Sequence, residues 1–238
     1  MGNRSLVVVY YKGEYRIAQY GQWVGFPDGQ GVVVLDFVKD PKNLAKLKTA
    51  LDIPGRLYEP TDIQLEDWAE QHEKQWQEDM RRNFTGSSVH TYERSDPAMP
   101  SVHRNTSARI LDLVANATEP VPIENGISFV ADTLFCEYTY VVDLDTSTLE
   151  VYSGRREGAV QTRFGGVEGV SAGGGPFLTA SFSFANLPEE DTFVLTATGK
   201  QREKADEDDK EGANHEESER DDDDEEGEEG DEQAAVEK

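Results

Sequence analysis

The sequence has little cysteine, no long apolar stretch and no cluster of basic residues. Cys136 is the only cysteine among 238 residues, which excludes an internal disulfide and favours a reducing compartment. No apolar run approaches the roughly 20 residues that cross a bilayer, and the first residues do not follow a signal-peptide pattern. With 48 acidic and 23 basic residues, the chain would repel a polyanion. We therefore expect a soluble intracellular protein, cytoplasmic or nuclear, that binds neither nucleic acid nor a membrane.

Acidic residues are concentrated at the carboxyl end. Residues 200–238 hold 20 acidic and 6 basic residues, which is −14 of the net charge of −25, and no aromatic residue. Such a segment cannot bury enough apolar surface to offset chain entropy, so we expect it to be disordered. All three Trp, nine Tyr and ten Phe precede it, which predicts one folded domain over residues 1–199. The tail would either keep the protein soluble or engage a basic protein surface.

Strand and helix patterns occupy different parts of the domain. Alternating β-branched and aromatic residues predict hairpins at 6–23 and 136–153 and a strand at 178–184. Helical patterns lie mainly between the hairpins, and residues 127–135 fit a strand or a short helix equally well. Strands grouped at both ends favour an α+β fold, with helices packed on an antiparallel sheet or sheets.

Capping signals mark the helix starts. Asp28 is expected to cap a helix over about 31–39, and Asp40 with Pro41 starts a second helix. Thr61 and Gln64 form a capping-box pattern for a third helix. Apolar residues then recur at helical spacing with one histidine among them, which we expect to be packed rather than catalytic. This stripe comprises Leu65, Trp68, Ala69, His72, Trp76 and Met80.

The densest polar and aromatic cluster surrounds the glycine-rich turn at 25–31. Its members are Gln19, Tyr20, Gln22, Trp23, Asp28 and Gln30. They would suit a small polar ligand with an aromatic wall. Alternatively, the glycines permit a tight turn and the glutamines satisfy backbone groups, and we favour this structural interpretation. The turn matches neither GxxxxGK[ST] nor GxGxxG, so nucleotide binding is not predicted.

Cys136 and a run of carboxylates are the other chemical candidates. A lone thiol becomes a nucleophile if a histidine approaches, but a cysteine opening an aromatic strand is more often a buried small hydrophobe. Asp132, Glu137, Asp143 and Asp145 surround the second hairpin without a calcium-loop pattern, and they suit ordinary turn chemistry. No metal or cofactor is predicted.

Two separated blocks carry a family resemblance. IAQYGQWVGFPDGQG (17–31) resembles the signature of a family of uncharacterised fungal, bacterial and phage proteins. ARILDLVANATEP (108–120) and FVADTLFCEYTYVVDLDTSTLEVYSG (129–154) resemble a second block of its fungal members. The family carries no established activity, so the resemblance implies kinship without mechanism.

A weaker similarity connects this family with the N-terminal-nucleophile hydrolases, whose fold is an αββα sandwich. Many family members place cysteine after the initiator Met, where these hydrolases have a nucleophile activated by its own α-amine. Here Gly2 offers no nucleophile and Asn3 replaces a threonine, whereas Arg4 is retained. The resemblance thus implies a catalytically silent protein that keeps a polar pocket near Gly2, Arg4 and residues 19–30. Two alternatives stay open: an amide hydrolase that uses another nucleophile such as Cys136, and an acidic protein that binds basic partners through residues 200–238.

Overall fold

The amino-terminal hairpin is the first predicted element in the structure, a computed structural model that describes residues 3–84, 99–154, 163–171 and 174–199. β1 (Arg4–Tyr11) pairs antiparallel with β2 (Glu14–Gly21). Between them Lys12 and Gly13 have positive φ angles of 55° and 78°. A two-residue turn of this kind matches the twist of the flanking strands. The predicted hairpin is confirmed.

A five-stranded sheet forms the centre of the fold. β5 (Cys136–Asp143), β6 (Thr148–Ser153) and β7 (Phe177–Ser183) complete the order β2-β1-β5-β6-β7. β1 and β5 are parallel, and the other neighbouring strands are antiparallel. β3 (Leu57–Tyr58) and β4 (Val121–Pro122) form a separate parallel pair. The sheet places the start of β1 beside the start of β5, in the interior of the sheet.

In the described ranges five α-helices accompany the sheet, which confirms the α+β class. They are α1 (Val32–Lys39), α2 (Pro41–Asp52), α3 (Asp62–Phe84), α4 (Ile110–Ala115) and α5 (Glu190–Ala197). The described residues contain one large sheet, and the αββα variant with two stacked sheets stays a prediction.

The larger part of the core lies on one face of the sheet. Val7 and Val9 of β1 share a cluster with buried residues of α1, α2, α4 and α5. Within this cluster Leu35, Leu47 and Ile110 are fully buried. Successive residues of a strand point to opposite faces of the sheet, so β1 also supplies side chains to the other face. Burial of this apolar surface stabilises the fold by about 25 cal/mol for each Å² removed from water.

The opposite face of the sheet is covered by irregular chain. Leu6 and Val8 pack there with Cys136 and with Phe164, which is fully buried. A short 3-10 turn, Ile127–Ala131, contributes Val130 to the same cluster. Of the segment 127–135, which suited a strand or a short helix in the sequence, Ile127–Ala131 is therefore a short 3-10 helix.

The second and third helices begin as predicted. The Asp40 carboxylate accepts a hydrogen bond of 2.8 Å from the Lys42 amide at the start of α2. At the start of α3, the Thr61 amide donates to Gln64 Oε1 at 3.0 Å, and the Gln64 amide donates to Thr61 Oγ1 at 3.3 Å. This reciprocal pair is the predicted capping box.

The predicted cap of the first helix is wrong. Asp28 is exposed and lies within a π-helical turn, Pro27–Gly31, that runs directly into α1. Gly31, before α1, has helical dihedrals, and no side chain caps the helix there. The Val32 amide donates to the Gly29 carbonyl, so backbone already serves the start of α1 and a carboxylate is not needed.

The chain divides into two units, Met1–Arg202 and Glu203–Lys238. Gly2 and residues 200–238 lie outside the described residues, so the expected disorder of the tail stays a prediction. Of the helices in the described ranges, none is both long and apolar enough to cross a membrane.

Candidate functional site

The three glutamines of the predicted polar cluster lie against one segment, residues 103–108. Gln19 is 4% exposed, and its Nε2 donates to the carbonyls of Tyr20 at 3.2 Å and of His103 at 3.4 Å. Gln30 Oε1 accepts from the Ala108 amide at 3.1 Å. The Gln22 amide donates to the Arg104 carbonyl at 3.1 Å. The cluster therefore anchors residues 103–108 to β2 and the following turn.

The other predicted site residues in the described ranges have different surroundings. Tyr20 packs edge-on against Phe129, with ring centroids 5.0 Å apart, and its hydroxyl donates to Gln22 Oε1. Trp23 and Asp28 are exposed. Arg4 lies with its guanidinium carbon 4.8 Å from the ring centroid of Phe135, a cation–π contact. A ligand-binding role for these residues stays a prediction, and Gly2 lies outside the described residues.

Close packing explains the glycines of the turn. A Cβ on Gly25 would lie 2.8 Å from the carbonyl carbon of Arg4, and one on Gly31 would lie 2.9 Å from Cε1 of Tyr140. The Tyr140 hydroxyl donates to the Gly25 carbonyl at 2.8 Å. Burial raises the pKa of Tyr140 well above its usual value, so this hydroxyl keeps its proton. The turn is thereby fixed against β1 and β5.

A cleft of about 430 Å³ lies between α3 and the anchored segment. Its volume falls within the range of small-molecule sites, about 300–1,000 Å³. We call it the α3 cleft. Its lining includes Leu65, Trp68, Ala69, His72, Met99, Val102, His103, Arg104 and Glu124. The first four belong to the predicted apolar stripe of α3, so the stripe forms a cleft wall instead of an interior contact.

Two histidines meet in the α3 cleft. The rings of His72 and His103 have centroids 4.6 Å apart with planes tilted by 40°. His103 Nδ1 accepts a hydrogen bond of 3.2 Å from the Asn105 amide, which fixes the position of its ring. The Thr106 hydroxyl also bonds to the Pro100 carbonyl, which closes residues 100–106 into a compact loop. His72 is half-buried at the cleft rather than packed in the core.

Cys136 is a buried thiol, as we favoured from the sequence. It is 1% exposed, and its Sγ lies 3.3 Å from Thr139 Oγ1. Burial raises its pKa to about 12, although the contact with Thr139 acts in the opposite direction. Since the thiolate is the nucleophile, this thiol is poorly suited to covalent catalysis.

The carboxylates around the second hairpin have structural partners. Asp145 accepts from the amides of Lys12 and Gly13 at 2.8 and 2.9 Å, which joins the turns of both hairpins. Glu137 accepts from Asn3 Nδ2 at 2.9 Å. Asp132 accepts from the Phe135 amide at 3.2 Å. Within the described part of the chain, no three His, Cys, Asp or Glu side chains form a group that could hold a metal ion.

A buried ion network on the irregular face was not predicted. Arg163 bonds to Asp143 at 2.7 Å and also pairs with Glu150, and its guanidinium lies over the ring of Tyr10. Burial opposes ionisation of Asp143, but bonds from Thr146 and Arg163 outweigh it and lower its pKa. Arg163 lies within the glycine-rich stretch 154–175, which has no regular pattern, so its partners could not be predicted.

Comparison of the chain with protein-family models, with curated proteins and with solved structures returned no match. The family resemblance and the similarity to N-terminal-nucleophile hydrolases therefore stay predictions. The geometry of the described residues carries the functional argument.

Proposed function

We propose that this protein binds a small ligand in the α3 cleft and does not catalyse a reaction on it. The observation that carries the proposal is a cleft of about 430 Å³ whose one wall is anchored by the polar cluster. Ligand sites are concave, mostly apolar and largely pre-formed, with a few polar groups at defined positions. Leu65, Trp68 and Val102 supply apolar surface to the α3 cleft, while Arg104 and Glu124 supply charge.

The position of the cleft modifies the pocket expected from the sequence. Gln19 and Gln30 support its wall through the His103 carbonyl and the Ala108 amide, so their role in binding would be indirect. A pre-formed wall lowers the entropy lost when a ligand binds, because fewer groups must be ordered. In this arrangement the cleft is lined by other residues, and the glutamines singled out in the sequence hold the segment that forms its wall.

The chemistry of the lining supports binding without catalysis. The described residues of the α3 cleft include imidazoles and a carboxylate, which can transfer protons, but no hydroxyl or thiol nucleophile. The hydrolase alternative depends on Cys136, whose burial and raised pKa of about 12 oppose it. The alternative based on the acidic tail concerns residues outside the described ranges and stays a prediction.

The proposal can be tested with a fluorescent apolar probe. N-phenyl-1-naphthylamine should bind with a saturable rise in fluorescence, and Trp68→Ala should weaken binding by about tenfold or more, as loss of a central aromatic contact does. Trp76→Ala is the matched control, since Trp76 lies about two turns further along α3 and is 40% exposed. It should leave the affinity within about twofold of wild type. Equal loss in both variants, or no saturable binding by wild type, would refute the α3 cleft as a ligand site.

A further inference from the structure

Unpartnered polar atoms are concentrated where the segment 103–108 meets the sheet. In the described residues, five buried side-chain atoms have no hydrogen-bond partner. Three of them are oxygens in this region: Ser5 Oγ at the start of β1, and Asn105 Oδ1 and Ser107 Oγ in the segment. Buried polar groups nearly always bond to the protein or to an ordered water molecule, because leaving them unpaired is costly. The three oxygens therefore indicate a site for a small polar ligand enclosed by the protein.

The hydroxyl groups of Ser5 and Ser107 lie beside one position, the place where Gly21 has no side chain. Gly21 of β2 pairs with Ser5 in the ladder between β1 and β2. A Cβ on Gly21 would lie 3.1 Å from Ser5 Oγ and closer still to Ser107 Oγ. The two hydroxyl oxygens are therefore less than twice that distance apart, although neither bonds to the other.

This position is closed to bulk solvent. Ser5 is 0% and Ser107 is 1% exposed. Ser5 lies two residues before Val7 in β1, so it faces the side of the sheet that the helices cover. On the other side, the bond from the Ala108 amide to Gln30 holds the segment 103–108 in place. Bulk solvent therefore does not hydrate these hydroxyl groups, and a partner must be held inside the fold.

The backbone of Ser107 points to the same conclusion. Its φ angle is 44°, in the left-handed region that glycine adopts most readily. A serine at this position bears the strain of that conformation and also buries a hydroxyl group without a protein partner. A hydrogen bond from an enclosed ligand to this hydroxyl group would offset both costs.

We propose that one water molecule is bound between Ser5 and Ser107 and bridges β1 to the segment 103–108. Two hydrogen bonds of about 2.7–3.0 Å each span up to about 6 Å, which covers the separation of the two oxygens. Each hydroxyl group donates and accepts, so water satisfies both, and Asn105 Oδ1 can accept the third bond that an internal water usually makes. A larger ligand does not fit, since a Cβ on Gly21 would already lie 2.8 Å from Ser107 Cβ. The bridge fixes the segment that forms a wall of the α3 cleft, and it does not depend on the proposed ligand binding.

Two measurements on the full-length protein test the water site directly. A high-resolution crystal structure of the wild type should show an ordered water molecule within hydrogen-bond distance of both Ser5 Oγ and Ser107 Oγ. Oxygen-17 magnetic relaxation dispersion counts the water molecules held inside a protein for longer than it tumbles. The double variant Ser5→Ala/Ser107→Ala should hold one such molecule fewer than the wild type, because a site that loses its polar partners no longer retains water. Ser181→Ala is the matched control, since Ser181 is exposed on β7, and it should leave the count unchanged.

Urea unfolding of the single and double variants tests the bridge independently. Ser5→Ala and Ser107→Ala should each raise the equilibrium constant for unfolding. The double variant should raise it by clearly less than the product of the two single effects, because either substitution already breaks the bridge. A full product of the single effects, or an equal water count in the wild type and the double variant, would overturn the proposal. A crystal structure in which the two hydroxyl groups bond directly to each other would overturn it as well, and this result needs no variant to fold.

Discussion

Replacing Gly25 with alanine should destabilise the protein even though it adds one methyl group. The new Cβ would lie 2.8 Å from the carbonyl carbon of Arg4 and 2.8 Å from the carbonyl oxygen of Asn3. These atoms belong to the backbone at the start of β1, which is paired with β5 inside the sheet. A flexible side chain could move aside, but a paired strand can move only with its hydrogen bonds.

The size of the effect follows from the required shift. A Cβ is essentially never found closer than 3.0 Å to another heavy atom and ordinary contacts begin at 3.4 Å, so the 2.8 Å contact must lengthen by at least 0.2 Å, and by 0.6 Å to become an ordinary contact. This movement strains two hydrogen bonds. The Gly25 amide donates to the Asn3 carbonyl at 2.9 Å, and the Tyr140 hydroxyl donates to the Gly25 carbonyl at 2.8 Å. Overpacking of a tight site costs about 1–3 kcal/mol. We expect about 2–3 kcal/mol for Gly25→Ala, since backbone is involved on both sides.

Urea unfolding followed by tryptophan fluorescence measures this loss, and thermal unfolding checks it as a fall in Tm of roughly 4–12 °C. Gly166→Ala is the matched control, because a Cβ there meets no atom within 4 Å and its φ is not positive. It should change stability by less than about 0.5 kcal/mol. If Gly25→Ala is as stable as Gly166→Ala, the glycine of this turn is not required for packing, and a role in ligand contact would become the better explanation.

Three further predictions concern other parts of the fold. Cys136 should not react with a thiol reagent at pH 8 in the native protein and should react at once in urea, since burial raises its pKa to about 12; rapid native labelling would contradict this. Arg163→Met should lower the free energy of unfolding by about 3–5 kcal/mol at pH 7, measured in urea, because it leaves the buried Asp143 carboxylate and the partly buried Glu150 carboxylate without their cationic partner. The pKa of Asp143 is lowered in the folded state, so its contribution to stability is complete above its unfolded pKa of about 3.9 and is lost as pH falls through the folded value. The difference in unfolding free energy between Arg163→Met and wild type should therefore narrow at pH 3. An unchanged difference would refute the pairing. Thr61→Ala should cost about 0.5–2 kcal/mol by loss of the cap of α3, seen as reduced helical circular dichroism on heating, whereas an unchanged melting curve would show that the cap is dispensable.

The parts of the fold that depend on neighbouring residues were predictable. The Lys12-Gly13 turn, the Asp40 cap and the capping box at Thr61 each involve residues within three positions of one another. Their sequence patterns describe the same atoms that form the bonds. The failure at Asp28 has a local cause as well, since the preceding turn is already helical and supplies a backbone acceptor at Gly29.

The parallel pairing of β1 with β5 could not be predicted from local patterns. Arg4 pairs with Cys136 and Val9 with Val142, and more than 120 residues separate the two strands in the chain. Both strands are largely buried on both faces, and a buried strand is compatible with either direction of pairing. The direction of this pairing depends on the helices that lie between β1 and β5 in the chain. These helices pack on one face of the sheet.

The α3 cleft was missed for a related reason. Its α3 wall was visible as an apolar stripe, but such a stripe predicts contact with the core in most helices. The opposite wall comes from residues 99–104, which follow no helical or strand pattern, and Glu124 lies in another loop. Two histidines at positions 72 and 103 become a pair only when these segments meet.

Glutamine shows why residue type alone does not decide between a ligand site and a structural site. Its amide offers a donor and an acceptor, which suit a ligand or a backbone group equally. For Gln19 and Gln30 the choice is made by partners at His103 and Ala108, 84 and 78 residues away. Gln19 is 4% exposed, so leaving its side-chain amide unpaired would cost about 1–3 kcal/mol. The polar cluster is therefore held to its structural role by the same contacts that form the wall of the α3 cleft, and a ligand that displaced these glutamines would have to replace bonds which the fold already satisfies.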